Sequence, residues 1–354
     1  MFDILYAVFL SGFESVYYYL SEHVLTCLIP AFFIAGAIAA FIKKEAILKY
    51  LGPDVDKKIS YPIASVSGAI LAVCSCTILP MFAGLYKKGS GVGPATAFLY
   101  SGPAINILAI VFTANILGFE LGLARALAAV AMAFVIAFLM SNIFKTHDDE
   151  TSKNNQEKTA DDNEPGKPTW IKLSVFGSLI GILVIGASNL AWAPKLGIIY
   201  VLTIFIAVIL IYYYQKSEVT EWGYETVDLT RKILPILIAG TFIVGMISYF
   251  LPPETFRPYL GNNSLLSSFL GSIIGAILYM PTLMEVVIIG DIFGYSSGVM
   301  GDAPALSLLL AGPSLSLPNM IVLFKIMEFK QWLAYIAIVV VLSTMMGFTY
   351  GIIV

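Results

Sequence analysis

Two cysteines stand two residues apart in the apolar run Gly68-Ala69-Ile70-Leu71-Ala72-Val73-Cys74-Ser75-Cys76-Thr77-Ile78-Leu79-Pro80. An intact helix sends side chains at that spacing to different faces, whereas extended backbone sends them to the same side. At a helix break Cys74 and Cys76 could therefore chelate one ion. Thiolates select soft ions: cuprous copper, zinc and, by the same chemistry, trivalent arsenic. The bland alternative is that both cysteines pack as small apolar residues while Ser75 and Thr77 cap a helix beginning there. A third reading is a membrane thiol oxidoreductase in which the pair cycles as a disulfide. Such enzymes usually relay electrons through a second exposed pair, and here only Cys27, in another apolar segment, remains.

A second constellation lies at Tyr279-Met280-Pro281-Thr282-Leu283-Met284-Glu285. Glu285 is an ionisable group inside an apolar stretch, a place where it can bind a coupling proton or balance a cationic solute. Thr282 to Glu285 also has the spacing of a capping box, and the two readings are compatible. Met280 and Met284 could add weak thioether ligands to a soft ion. Asn106 and Asn319 follow proline breaks at Pro103, Pro313 and Pro318, where each amide can line a cavity or satisfy local backbone. Asp291 and Asp302 read as solvated, and His23 and His147 have no evident site role.

The elements that must position these residues are set by lipid. The chain has 354 residues, 58% hydrophobic and only 12% charged, with a formal net charge of -3; about a quarter of an ordinary soluble domain is charged. That much apolar surface needs a bilayer as solvent. No basic run or basic helix face invites nucleic acid. Residues 1–20 carry Asp3 and Glu14, lack a basic leader and so do not read as a cleaved signal; they suit an interfacial helix or an extra span. No Walker motif is present, and no cofactor is implied.

Apolar stretches long enough to cross the hydrocarbon core predict spans at 24–42, 122–144, 171–191, 197–214, 233–251 and 333–353. Pro94 to Ile116 and Pro304 to Phe324 are spans interrupted at Ser101 to Asn106 and at Gly312 to Asn319, where proline removes backbone donors. The stretches 61–88 and 266–294 divide at the two constellations into pieces too short to cross, and read as re-entrant hairpins. The distribution of cations supports this: re-entry leaves only Arg125, Lys195 and Arg257 outside among the 20 Lys and Arg, whereas full crossing would divide them evenly.

Short collinear matches relate the two halves: Ile29-Pro30 with Leu234-Pro235, Tyr50-Leu51-Gly52 with Tyr259-Leu260-Gly261, Gly68 to Leu71 with Gly275 to Leu278, and Ser101-Gly102-Pro103 with Ala311-Gly312-Pro313. The expected fold is therefore an all-α polytopic membrane protein with an inverted-topology repeat, about eight full spans and two re-entrant hairpins. Its parts are an N-terminal segment 1–23, a first unit 24–144, a disordered cytoplasmic linker 145–170, an inserted helix pair 171–214, a cytoplasmic connector 215–232 and a second unit 233–354. The hairpin tips would meet near the midplane, where a secondary transporter binds its solute.

The Cys-Ser-Cys string, followed by Gly84-Leu85, Lys88-Gly89, Ala97-Phe98-Leu99 and Ser101-Gly102-Pro103, resembles a widespread prokaryotic family of predicted permeases whose best-known branch is the ArsP-type organoarsenical efflux permease. The resemblance implies a multi-pass inner-membrane permease with Cys74, Cys76 and Pro80 at signature positions, in a family only some of whose members are linked to arsenicals. Thr77 stands where members of the family commonly carry glycine.

Overall fold

The computed structural model describes residues 2–21, 29–41, 44–71, 75–145, 169–187, 192–250, 258–278, 280 and 282–354. Its described residues are helical, with no strand among them. The chain is an all-α polytopic membrane protein.

After α1 (Phe2–Tyr19), the first half runs α2 (Ile29–Phe41), α3 (Lys44–Leu51), α4 (Lys57–Leu71), α5 (Ser75–Lys87), α6 (Val92–Ala104), α7 (Ile107–Ile116) and α8 (Phe119–Ile143). An intervening pair follows, α9 (Thr169–Ala187) and α10 (Trp192–Tyr213). The second half runs α11 (Lys216–Phe250), α12 (Leu265–Ile277), α13 (Thr282–Val287), a π turn (Ile288–Ile292), α14 (Asp302–Ala311), α15 (Leu317–Ile326) and α16 (Phe329–Ile353). Helices α8, α10 and α16 include segments long and apolar enough to cross a membrane, and α6 with α7 makes one more candidate span, bent by 41° at its break. Leu127, Val201, Ile211 and Val341 turn their apolar side chains outward, as contact with lipid requires.

Each break has a local cause. Pro103 cannot donate within α6, and the chain restarts at Asn106, whose side chain accepts hydrogen bonds from the amides of Leu108 (3.0 Å) and Ala109 (3.3 Å). Gly118 joins α7 to α8 at a φ of +106°, a conformation that costs any residue with a Cβ. In the second half α14 ends at Ala311, and Ser316 opens α15 in extended backbone with Pro318 in its first turn.

The two halves pack in the same order. In the first, α4 lies on α6 and α6 on α8; in the second, α12 lies on α14 and α14 on α16. A Cβ on Gly68 would sit 3.0 Å from the Gly102 amide nitrogen and collide with Ser101 Oγ, and one on Gly275 would sit 3.0 Å from the Gly312 amide nitrogen. Both glycines therefore bring a short helix onto the backbone of a Gly-Pro break.

Several expectations change. The segment 215–232 is not a separate connector: α11 is continuous from Lys216, because Trp222, Thr226, Leu229, Ile233 and Leu237 form one buried stripe at helical spacing. Trp222 Nε1 donates to the Phe33 carbonyl (2.9 Å), clamping that stripe to α2. Helix α1 packs along the later part of α11, where Ser11 donates to the Gly245 carbonyl (2.8 Å) and Phe9 and Phe13 meet Phe242 edge-on. The expected linker at 145–170 lies almost entirely outside the described residues.

Candidate functional site

Helix α8 carries one cation, Arg125, and the fold buries it completely. Its Nη1 donates to Thr113 Oγ1 on α7 (2.8 Å), and Thr113 in turn donates to the Ala109 carbonyl (2.7 Å). Its Nη2 lies 3.5 Å from Glu285 Oε2 on α13, and both side chains have zero exposure. Glu285 also presses on the second break, since a Cβ on Gly312 would collide with Glu285 Oε1. Behind the pair, Tyr100 on α6 donates to the Leu310 carbonyl (3.3 Å), while Ser314 donates to the Tyr100 carbonyl (3.4 Å). The two breaks are thus tied to each other beside the ion pair.

The pair is buried but poorly satisfied. Arg125 Nε and Nη2 and both Glu285 oxygens make no hydrogen bond among the described residues. A charge-assisted bond is typically about 2.7–2.9 Å long, so 3.5 Å is an ion pair whose bonds are not closed. Burying two charges costs several kcal/mol per ion, and an apolar pair of similar volume is often as stable. The physics therefore favours a role beyond holding the fold together.

Position by position, the expected site residues divide. Glu285 and Thr77 are fully or nearly fully buried, Pro80, Pro103 and Pro313 are buried, and Met280, between α12 and α13, is buried too. Met284 is 46% exposed and faces away from Glu285, so the expected thioether pair does not form. The capping box does not form either, because neither Glu285 oxygen accepts a hydrogen bond; the carboxylate is drawn to Arg125 instead. Asn106 spends its amide oxygen on capping α7, the local alternative. Asn319 is 1% exposed, with neither amide atom hydrogen-bonded among the described residues. Cys27, Cys74 and Pro281 lie outside the described residues, as does the side chain of Cys76. The backbone of Ser75, Cys76 and Thr77 is the first turn of α5. The described residues hold no group of three or more His, Cys, Asp or Glu side chains able to bind a metal ion.

At the sequence level Arg125, inside the expected span 122–144, counts only as an outside cation and not as a site residue. The signal was available: one Arg in a long apolar helix is as unusual as one Glu in an apolar hairpin. Lys195, also assigned outside, is 9% exposed and donates to the Gly186 carbonyl (3.0 Å) at the end of α9, where a cation suits the helix dipole. Asp302 accepts a hydrogen bond from Tyr295 (2.7 Å) and is therefore not simply solvated. Burial, reinforced by that bond, pushes the Tyr295 phenol above its ordinary value.

A crevice of about 580 Å³ opens between α5, α11 and α15, with Tyr86, Lys87, Asp228, Lys232, Val322 and Lys325 on its walls. Lys87 pairs with Glu225 (2.7 Å) and Lys232 with Asp228 (2.7 Å). Asn319 lies one helical turn from Val322 on α15.

A sequence profile described as a predicted permease, ArsP_1, matches residues 10–352. The chain belongs to that permease family. It is 40% identical over 348 residues to UPF0718 protein MJ0584 of Methanocaldococcus jannaschii, covering 95% of this chain and 93% of the relative. It is also 23% identical over 262 residues to UPF0718 protein YraQ of Escherichia coli K12, covering 74% of this chain and 59% of that protein. No solved structure matches it. The permease is accordingly a multi-pass membrane protein that handles a small-molecule substrate.

Proposed function

We propose that this permease is a secondary transporter of the prokaryotic inner membrane, working by alternating access on a small solute held where its two helix breaks meet. The observation that carries the reading is the junction itself. Tyr100 and Ser314 join the two Gly-Pro breaks, and the buried Arg125–Glu285 pair bridges α8 of the first half to α13 of the second. Broken helices satisfy their backbone in a membrane only inside protein or beside a wet cavity, and transporters place solute sites there. The division into two inverted units, each with a re-entrant hairpin, accounts for short helices α4, α5, α12 and α13 beside full-length ones.

The solute class that fits the Cys-Ser-Cys tip is a soft metal or metalloid, including organoarsenicals, with Cys74 and Cys76 as ligands and Glu285 as the charge or proton partner. Flux into reconstituted vesicles tests this with methylarsenite, arsenite, cuprous ion, zinc and thiosulfate. Wild type is expected to move at least one of them and Cys74→Ala/Cys76→Ala to lose it. Equal flux in both proteins removes the thiolate ligands and leaves the permease; no flux of any probe in either removes soft-solute transport.

A further inference from the structure

We infer that Arg125 is an anion-binding residue of this permease and that Glu285 is an internal carboxylate occupying it between turnovers, so that the solute carries a carboxylate or oxyanion group. The inference rests on the permease reading and narrows its solute class, selecting anionic probes such as thiosulfate over cuprous ion and zinc.

A guanidinium presents five N–H donors in a rigid fork that matches a carboxylate or oxyanion two bonds at a time. In Arg125 only Nη1 is hydrogen-bonded, to Thr113, a neutral group anchored to its own helix backbone. The Nε–Nη2 edge, the edge that takes an anion in bidentate fashion, makes no hydrogen bond among the described residues. Glu285 stands 3.5 Å from that edge without closing on it. It therefore supplies the neutralising charge while leaving the directional bonds unmade. An arginine whose only task was to balance Glu285 would have nothing to gain from this arrangement.

The surroundings determine which ligand can compete. The other titratable group beside the pair is Tyr100, whose hydroxyl donates to the Leu310 carbonyl and whose neighbour is Tyr335. No second acid among the described residues faces Arg125 electrostatically. When Glu285 withdraws, one unbalanced positive charge remains in a dry site, which repels cations and favours a single anion. Glu285 already lies against Gly312, where any side chain would collide with it, so its movement bears directly on the break of the second half. Solute arrival and rearrangement of the α14–α15 break thereby become one event.

The test is equilibrium binding of radiolabelled phosphate, acetate and thiosulfate to the purified full-length protein. Glu285→Gln removes the internal competitor, and it is expected to bind at least one of the three about tenfold or more tighter than wild type, since apparent affinity scales with the fraction of sites left free. Arg125→Met/Glu285→Gln replaces the pair by neutral groups of similar size, which keeps the core folded, and is expected to bind none. The inference is overturned if Glu285→Gln gains affinity for no probe, or if the double variant still binds. Flux separates this from the function it rests on. Anion binding that follows the predicted pattern without any transport in vesicles upholds Arg125 and removes the permease reading; transport of an anion by the double variant at the wild-type rate does the reverse.

Discussion

Ile78 and Glu285 occupy matching places in the two halves, ten residues after Gly68 and ten after Gly275. Each lies against the glycine of a Gly-Pro break: a Cβ on Gly102 would sit 2.8 Å from Ile78 Cδ1, and one on Gly312 would collide with Glu285 Oε1. The helices around them differ in the opposite sense. Arg125 stands six residues after Phe119, at the start of α8, and Tyr335 six residues after Phe329, at the start of α16. The breaks differ too, for Asn106 caps α7 with two hydrogen bonds while Ser316, at the matching place before α15, makes none. At its own break the first half has apolar packing and a made cap, and from α8 it lends the buried cation Arg125; the second half has the carboxylate Glu285 and an uncapped helix start. Shared packing with divergent chemistry separates what supports the protein from what works in it.

The largest effect that would break this comparison comes from the ion pair. Glu285→Leu or Arg125→Met alone leaves one uncompensated buried charge and should cost about 3–5 kcal/mol, whereas the double variant should fall within about 1 kcal/mol of wild type. Unfolding of the detergent-solubilised protein measures all three. A double variant no more stable than the singles would show that the two charges do not act as a unit.

Next come the glycines at the breaks. Gly312→Ala forces a methyl group into the Glu285 carboxylate and should destabilise by about 1–3 kcal/mol, in the range of overpacking a core. Gly102→Ala meets only apolar atoms of the Ile78 side chain, with no carboxylate or backbone oxygen in the way, and should cost less. The same unfolding assay ranks them, and a reversed order would show that the two contacts are not counterparts.

The asparagines sharpen the contrast at smaller scale. Asn106→Ala removes an N-cap and should cost about 1 kcal/mol, while Asn319→Ala deletes no hydrogen bond present among the described residues and should leave stability nearly unchanged. Solute flux should show the opposite ranking, Asn319→Ala losing more. The smallest effect is expected at the crevice mouth. Lys87, half exposed, pairs with Glu225 across α5 and α11, and Lys87→Ala should shift stability by less than about 1 kcal/mol.

Much of the fold was legible because hydrophobic length and proline are local signals. The long apolar helices at 119–143, 193–213 and 329–353, the bend at Ser101 to Asn106 and the helix end near Ile277 follow from composition within a short window. The continuity of α11 through residues 216–232 is legible in principle from its buried stripe, but the charged residues between the stripe positions obscure it. Glu285 was found because a lone acid in apolar sequence is conspicuous. Arg125 was not, because its nearness to the outer end of the expected span let it count as an outside cation.

The residues by themselves determined that this chain lives in lipid and that α6 and α7 part at a proline break, since each depends on the hydrocarbon thickness and on backbone donors a few residues apart. Only the tertiary structure decided that Arg125 faces Glu285, that Gly312 is the surface the carboxylate rests on, and that Met284 points away. The reason is distance along the chain. A buried charge is tolerable only beside its counter-charge, and the partner here comes from a helix in the other half of the molecule, so no local pattern in either segment could announce it.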